Sequence, residues 1–213
     1  MTRSRLLHGI FAHFRTRRMR LFEERLRPSA ATRILDVGGS PLIWEFTRVS
    51  PRVTFLNLPS ALSPHAPYAS QVGGDGRLLP FPDHSFDIVF SNSVIEHVGT
   101  YDDQLSFARE VARVGRSYWI QTPNRRSPFE MHLMLPFVHR MPRQWQQRIV
   151  NRFTLWEVMV KPTPGERASY LEHFLNELNL LDEQTLASLF PEASILKETI
   201  LGLPKSLIAF RSC

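Results

Sequence analysis

Apolar residues at Leu6, Leu7, Ile10, Phe11 and Phe14, then at Leu21, Phe22 and Leu26, recur at the spacing of one helix face. The pattern predicts a helix over 4–26 with arginines on the opposite face, ended by Pro28. The period then changes. "RILDV", 33–37, is a short buried run that predicts a strand, and Gly38-Gly39-Ser40-Pro41 a tight turn into a helix at about 42–49. "RVTFLNL", rich in β-branched and aromatic residues, predicts a second strand ending at Pro59. Residues 59–70 hold three prolines and no period, so they form a loop. A strong strand is expected at Phe86–Phe90 and another at "SYWIQT". Between them "YDDQLSFAREVARVG" is a helix with Asp102 and Asp103 in its first turn and Gly115 past its end.

From Pro123 the character shifts. Six prolines between 123 and 164 punctuate short apolar pieces, which reads as a helical lid insertion, 123–165, over one end of the sheet. Residues 166–190 are expected to be helical, with Asp182 as an N-cap before "EQTLASLF". "ASILKETIL" and "SLIAFR" form two closing strands joined through Gly202 and Pro204. The order predicts an α/β fold: a doubly wound, mainly parallel seven-stranded sheet with one antiparallel strand. Ligands of such sheets bind beyond the carboxyl ends of the strands, where Gly38, Asn57, Asp75 and Ser91 are expected to meet.

A length of 213 residues suits one domain, 1–213, with an elaboration. With 43% hydrophobic and 22% charged residues the composition is that of a soluble globular protein. No apolar run approaches the roughly 20 residues of a membrane span, and the N-terminus lacks the apolar core of a signal peptide. The single cysteine, Cys213, argues against disulfides, thiolate metal sites and a core nucleophile; no metal is expected, and a cytoplasmic location fits. Charge is uneven. Residues 1–27, a basic amphipathic N-terminal helix, carry eight arginines against two glutamates, and 123–161 carry six arginines and a lysine against two glutamates. These segments either meet an anionic partner, namely a phosphate-bearing substrate, an anionic membrane surface or nucleic acid, or are simply solvated faces.

Three stretches carry the chemistry: "LDVGGS", "GDGRLLPFPDHSFD" and "IVFSNSVIEHV". In this order and spacing they resemble the class I S-adenosylmethionine-dependent methyltransferases, in particular the small-molecule branch called type 11. The resemblance runs from about Arg33 to Pro123 and weakly to the end. It implies S-adenosyl-L-methionine as cofactor and S-adenosyl-L-homocysteine as product. It also implies that Gly38 and Gly39 let backbone approach the methionine part, and that Asp36 helps hold that part. Asp75 and the Gly76 N–H would take the adenine, Asn57 and Leu58 the ribose end of strand 2, and Ser91 and Asn92 the mouth of strand 4. Two departures stand out. The family turn D-x-G-x-G-x-G has Ser40 and Leu42 for its later glycines; the Ser40 hydroxyl either meets the cofactor or caps the helix. The usual acid after strand 2 is Asn57, which offers no charge to the ribose hydroxyls.

Methyl transfer needs alignment, and a base where the acceptor is a hydroxyl. His97 and His132 are the candidate bases, each with a surface or packing role as the alternative, and Glu130 either orients His132 or binds a substrate group. Phe129, Phe137, Trp145 and Trp156 either line an acceptor pocket or form the lid's core. A dinucleotide fingerprint and a P-loop are both absent. So is the N/D-P-P-Y/F turn of amino-group methylation on bases: Ser91-Asn92-Ser93-Val94 stands there. Nucleic acid is therefore disfavoured, and an oxygen of a small, lipid-linked or sugar-linked acceptor is expected. A cofactor-binding scaffold without turnover is the alternative.

Overall fold

The computed structural model describes residues 3–62, 70–130, 133 and 135–213. Seven strands form one sheet: β1 (Arg33–Val37), β2 (Arg52–Asn57), β3 (Gln71–Gly73), β4 (Phe86–Asn92), β5 (Gly115–Pro123), β8 (Ser194–Ile200) and β9 (Leu203–Arg211). Their order is β3-β2-β1-β4-β5-β9-β8. β1 to β5 pair in parallel, and β9 runs antiparallel to both β5 and β8. The expected doubly wound sheet with one antiparallel strand is what the chain forms. Strand order reverses between β1 and β4, so the connections leave to opposite sides and open a crevice at their carboxyl ends.

Central strands are buried on both faces, which is why they read as continuous apolar runs. Successive residues alternate between two cores. Leu35, Val89, Tyr118, Ile120 and Leu207 pack with Phe107 and Val111 of α2 (Tyr101–Val114) and Leu186 of α6 (Glu183–Leu189). Ile34, Ile88, Phe90, Trp119 and Ile208 pack with Met19 and Phe22 of α1 (Arg3–Leu26). Asp102 and Asp103 lie in the first turn of α2 and Gly115 caps its end, as expected; Thr100 caps its start and Asp103 completes a capping box.

Three expectations need correction, and one strand was not foreseen. Residues 42–49 form no α-helix; Pro41–Phe46 is a 3-10 turn. Only twelve residues separate Gly38 from Pro51, several are β-branched or aromatic, and the Glu23 carboxylate of α1 accepts the Arg48 N–H at 2.6 Å. α1 covers this face of the sheet instead. Its arginines are not all on the outer face: Arg18 is 7% exposed. The helix expected over 166–190 is two, α5 (Pro164–Glu177) and α6, with Asp182 capping the latter as expected. Between them the chain runs extended to bond the loops after β4 and β5, with Asn179 N–H to Glu96 O at 2.7 Å and Arg125 N–H to Leu181 O at 2.8 Å. β3 has three residues and no pattern of its own, and the reading of the sequence did not place it.

Residues 123–165 are only partly helical. A two-stranded ribbon, β6 (Phe129–Glu130) with β7 (Leu135–Pro136), precedes α3 (Arg143–Arg152) and α4 (Leu155–Val160). Leu133, Leu135, Val138 and Val150 share a separate small core with Leu171 and Phe174 of α5. Phe129, Phe137 and Trp145 are each about half exposed (49%, 49% and 50%) and stand outside this small core. Trp156 stacks on Tyr170 with centroids 4.0 Å apart.

Candidate functional site

The crevice at the switch point holds a cavity of about 480 Å³. Gly38 follows β1, Asn57 and Leu58 end β2, Gly74–Arg77 follow β3, and Val94, His97 and Val98 follow β4; Phe107 of α2 closes the back. Gly38 has φ +72°, and a Cβ there would lie 2.6 Å from Val94 Cγ2, so both backbone and packing demand glycine. A Cβ on Gly39 would fall inside the Asp36 carboxylate. The second glycine therefore clears the Asp36 carboxylate.

Asp36 is fully buried and does not line the cavity. Its Oδ2 accepts the Trp44 Nε1–H at 2.8 Å, and its Oδ1 has no partner among the described residues. Burial pushes its pKa up to about 7, against the smaller opposing pull of the Trp44 bond. The 3-10 turn that replaces the expected helix carries Trp44 over this acid.

Asn57 donates from Nδ2 to the Gly39 carbonyl at 3.1 Å and so ties β2 to the glycine turn. Leu58 is 54% exposed along the cavity wall. Asp75 accepts the Arg77 backbone N–H at 2.9 Å and the Arg77 guanidinium at 2.7 Å. That guanidinium also reaches Asp103 at the start of α2, at 2.8 Å. Beside it, Asp75 is held below the usual carboxylate range and stays ionised. Gly76 lies against the Phe107 ring, where a Cβ would come within 2.8 Å.

The remaining expected residues divide. Ser91 is buried inside the sheet and donates to the Val37 carbonyl at 3.0 Å, so it joins strands rather than facing the mouth. Ser40 is exposed, makes no side-chain cap bond and is not in the cavity lining. His97 belongs to the wall of the first cavity. His132 lies outside the described residues. Glu130 is buried and accepts the Leu133 N–H at 2.6 Å.

Asn92 belongs to a second cavity, of about 240 Å³, at the ends of β4 and β5 and the start of β9 beneath α1. Ser93 lines both cavities and holds φ +58°, a conformation uncommon outside glycine. Arg18 anchors the second cavity: its guanidinium meets Glu198 at 2.5 Å, Asn92 Oδ1 at 2.6 Å and Gln121 Oε1 at 3.1 Å. Lys205, 8% exposed, stands 3.7 Å from Glu198 and over the Phe14 ring at 4.8 Å. Burial, then the Arg18 charge, pushes its pKa down to about 8. The sequence reading missed this cluster. One signal was present: Phe14, Arg18 and Phe22 are spaced i, i+4, i+8, which sets Arg18 on the apolar stripe.

Among the described residues no helix is long and apolar enough to cross a membrane, and no group of three His, Cys, Asp or Glu side chains suits a metal ion. A family profile described as "Methyltransferase domain" matches residues 31–117. An uncharacterized methyltransferase of Mycobacterium sp. (strain KMS) is 38% identical over 90 residues, 39% of this chain and 34% of its own. The chain thus spans about a third of the curated relative it matches. Among solved structures, a protein described as an O-methyltransferase of Nostoc punctiforme aligns with TM-score 0.56 and 10% identity over 98% of this chain and 58% of its own. One described as a zinc-dependent alcohol dehydrogenase of Rhodobacter sphaeroides gives TM-score 0.56 and 11% identity over 91% and 88%. At such identities the shared property is the fold, which hosts more than one chemistry. Sheet order and the matched segment together carry the assignment: residues 31–117 are the core of a class I S-adenosylmethionine-dependent methyltransferase domain.

Proposed function

We propose that the domain moves the methyl group of S-adenosylmethionine to a hydroxyl oxygen of a small-molecule acceptor. The observation that carries the reading is the pair of cavities meeting at Ser93, beyond the switch point of the sheet. The first has the size of a small-molecule pocket, roughly 300–1,000 Å³, and its lining suits an adenosyl group. Leu58, Val94, Val98 and Phe107 supply apolar walls for a purine, and the ionised Asp75 supplies an acceptor for its amino group. With its amide N–H on Gly39, Asn57 offers a ribose hydroxyl its Oδ1. When bound, the cofactor supplies an electrophilic methyl carbon on a positively charged sulfur.

The choice of oxygen is supported by the missing base-methylation turn and by a cysteine placed only at the last, exposed position. It is also the acceptor named for the Nostoc neighbour. Ser93 sets the boundary across which acceptor and cofactor face each other, so its left-handed backbone is part of the positioning. His97 forms part of the adenosyl pocket, and alignment supplies most of the acceleration. Residues 123–165, which leave the sheet at Pro123 on the rim of the second cavity, act as the lid.

Incubation with methyl-labelled cofactor and a small-molecule extract of cells tests the reading: labelled product soluble in organic solvent or bound to anion exchanger is expected. Cofactor binding without any transfer of label would favour the scaffold reading, which the burial of Asp36 beneath Trp44 also motivates.

A further inference from the structure

The second cavity is built of hydrogen-bond donors. Arg15, Arg18 and Lys205 line it, and no Asp or Glu does so among the described residues. The nearby carboxylate, Glu198, is already engaged: it receives Arg18 Nε at 3.1 Å, Arg18 Nη2 at 2.5 Å and the Ser206 hydroxyl. Arg18 also fixes the amides around it. Because it donates to the carbonyl oxygens of both Asn92 and Gln121, two residues of the lining, their NH₂ groups are the donors these side chains have left. Lys205 lies 3.7 Å from Glu198, too far for a full hydrogen bond to satisfy its three N–H groups. Cations withdrawn from water and short of anions are costly to hold, and the lowered pKa of Lys205 has this cause.

We infer that the second cavity is an oxyanion subsite that binds a phosphate or carboxylate group carried by the methyl acceptor, with Lys205 and Arg15 as counter-charges and the Asn92 and Gln121 amides as neutral donors. The inference rests on the methyltransferase reading for the word acceptor, and on the cavity alone for the oxyanion. Its volume of about 240 Å³ holds an oxyanion head and the first atoms of its carrier. The wall shared at Ser93 then sets the acceptor's reactive oxygen at the cofactor side. Arg18 acts through the others, as a positioning residue that fixes both amides and α1.

Thermal unfolding of the purified chain in potassium phosphate, sodium acetate and potassium chloride at equal ionic strength tests this without cofactor. A saturable rise in Tm over chloride is expected, in the phosphate arm for a phosphate group and in the acetate arm for a carboxylate. The apparent Kd should rise at least tenfold in Lys205→Met and in Arg15→Ala, the second a half-buried site where a folding defect is not expected. Neither arm exceeding chloride, or equal rises in the parent and both variants, would overturn the subsite, the latter being a general salt effect. Calorimetry with S-adenosylhomocysteine on the same samples separates two further results. A tenfold loss of its affinity in Lys205→Met would give these cations to the cofactor's own carboxylate and overturn the acceptor assignment. Selective oxyanion binding with no S-adenosylhomocysteine binding would defeat the methyltransferase reading and leave the oxyanion site standing.

Discussion

Asp36 concentrates the difference between a residue's type and its situation. In an unfolded chain an aspartate loses its proton near pH 4, whereas burial holds the Asp36 proton to about pH 7 in the fold. Between these values the folded state binds more protons than the unfolded one, so this group's contribution to stability falls as pH rises and levels off above about 7. Asp36→Asn keeps an acceptor for Trp44 and removes the ionisation. Its advantage in urea midpoint over the parent should therefore grow from pH 4.5 to 7, by a few kcal/mol at most, and stay flat above. Parallel pH profiles would contradict the burial argument. The glycine turn itself was legible in "LDVGGS", but its reasons were not. Which atoms Gly38 and Gly39 avoid depends on Val94 and on the rotation of Asp36, contacts that no local pattern records.

Elements with a strong period were legible, and those shaped by distant partners were not. β1, β4, β5 and α2 follow from apolar runs and capping residues that act within a few positions. The 3-10 turn at 41–46 and the break at 179–181 depend on α1 and on the loops after β4 and β5, which are remote in sequence. α1 packs on the face of the sheet formed by Ile34, Ile88, Phe90 and Trp119. Phe22 is its main anchor, fully buried and edge-on to Phe90, Trp119 and Trp44 with centroids at 5.3, 5.7 and 5.9 Å. Phe22→Ala should cost roughly 3–5 kcal/mol, read as a lower urea midpoint with unchanged slope. A loss below about 1 kcal/mol would mean that α1 is not integral to this core.

At the scale of the whole molecule, the reversal of strand order between β1 and β4 creates the crevice that holds the first chamber, and a second chamber of different character lies next to it at β4, β5 and β9, sharing Ser93. The first chamber was largely legible, because Gly38, Asn57, Leu58, Asp75, Gly76 and His97 all line it. The second was not, since it joins α1 to β4, β5 and β9 across nearly the full length of the chain. The central claim is that the first chamber grips an adenosyl group through Asp75. Titration calorimetry with S-adenosylhomocysteine tests it most directly, on the parent chain and on Asp75→Ala. One site per chain is predicted for the parent, with affinity lower by roughly tenfold or more in the variant, the worth of a hydrogen bond to a charged group. Absence of heat and of any Tm shift at millimolar ligand in the folded parent, or equal binding by both proteins, would contradict it.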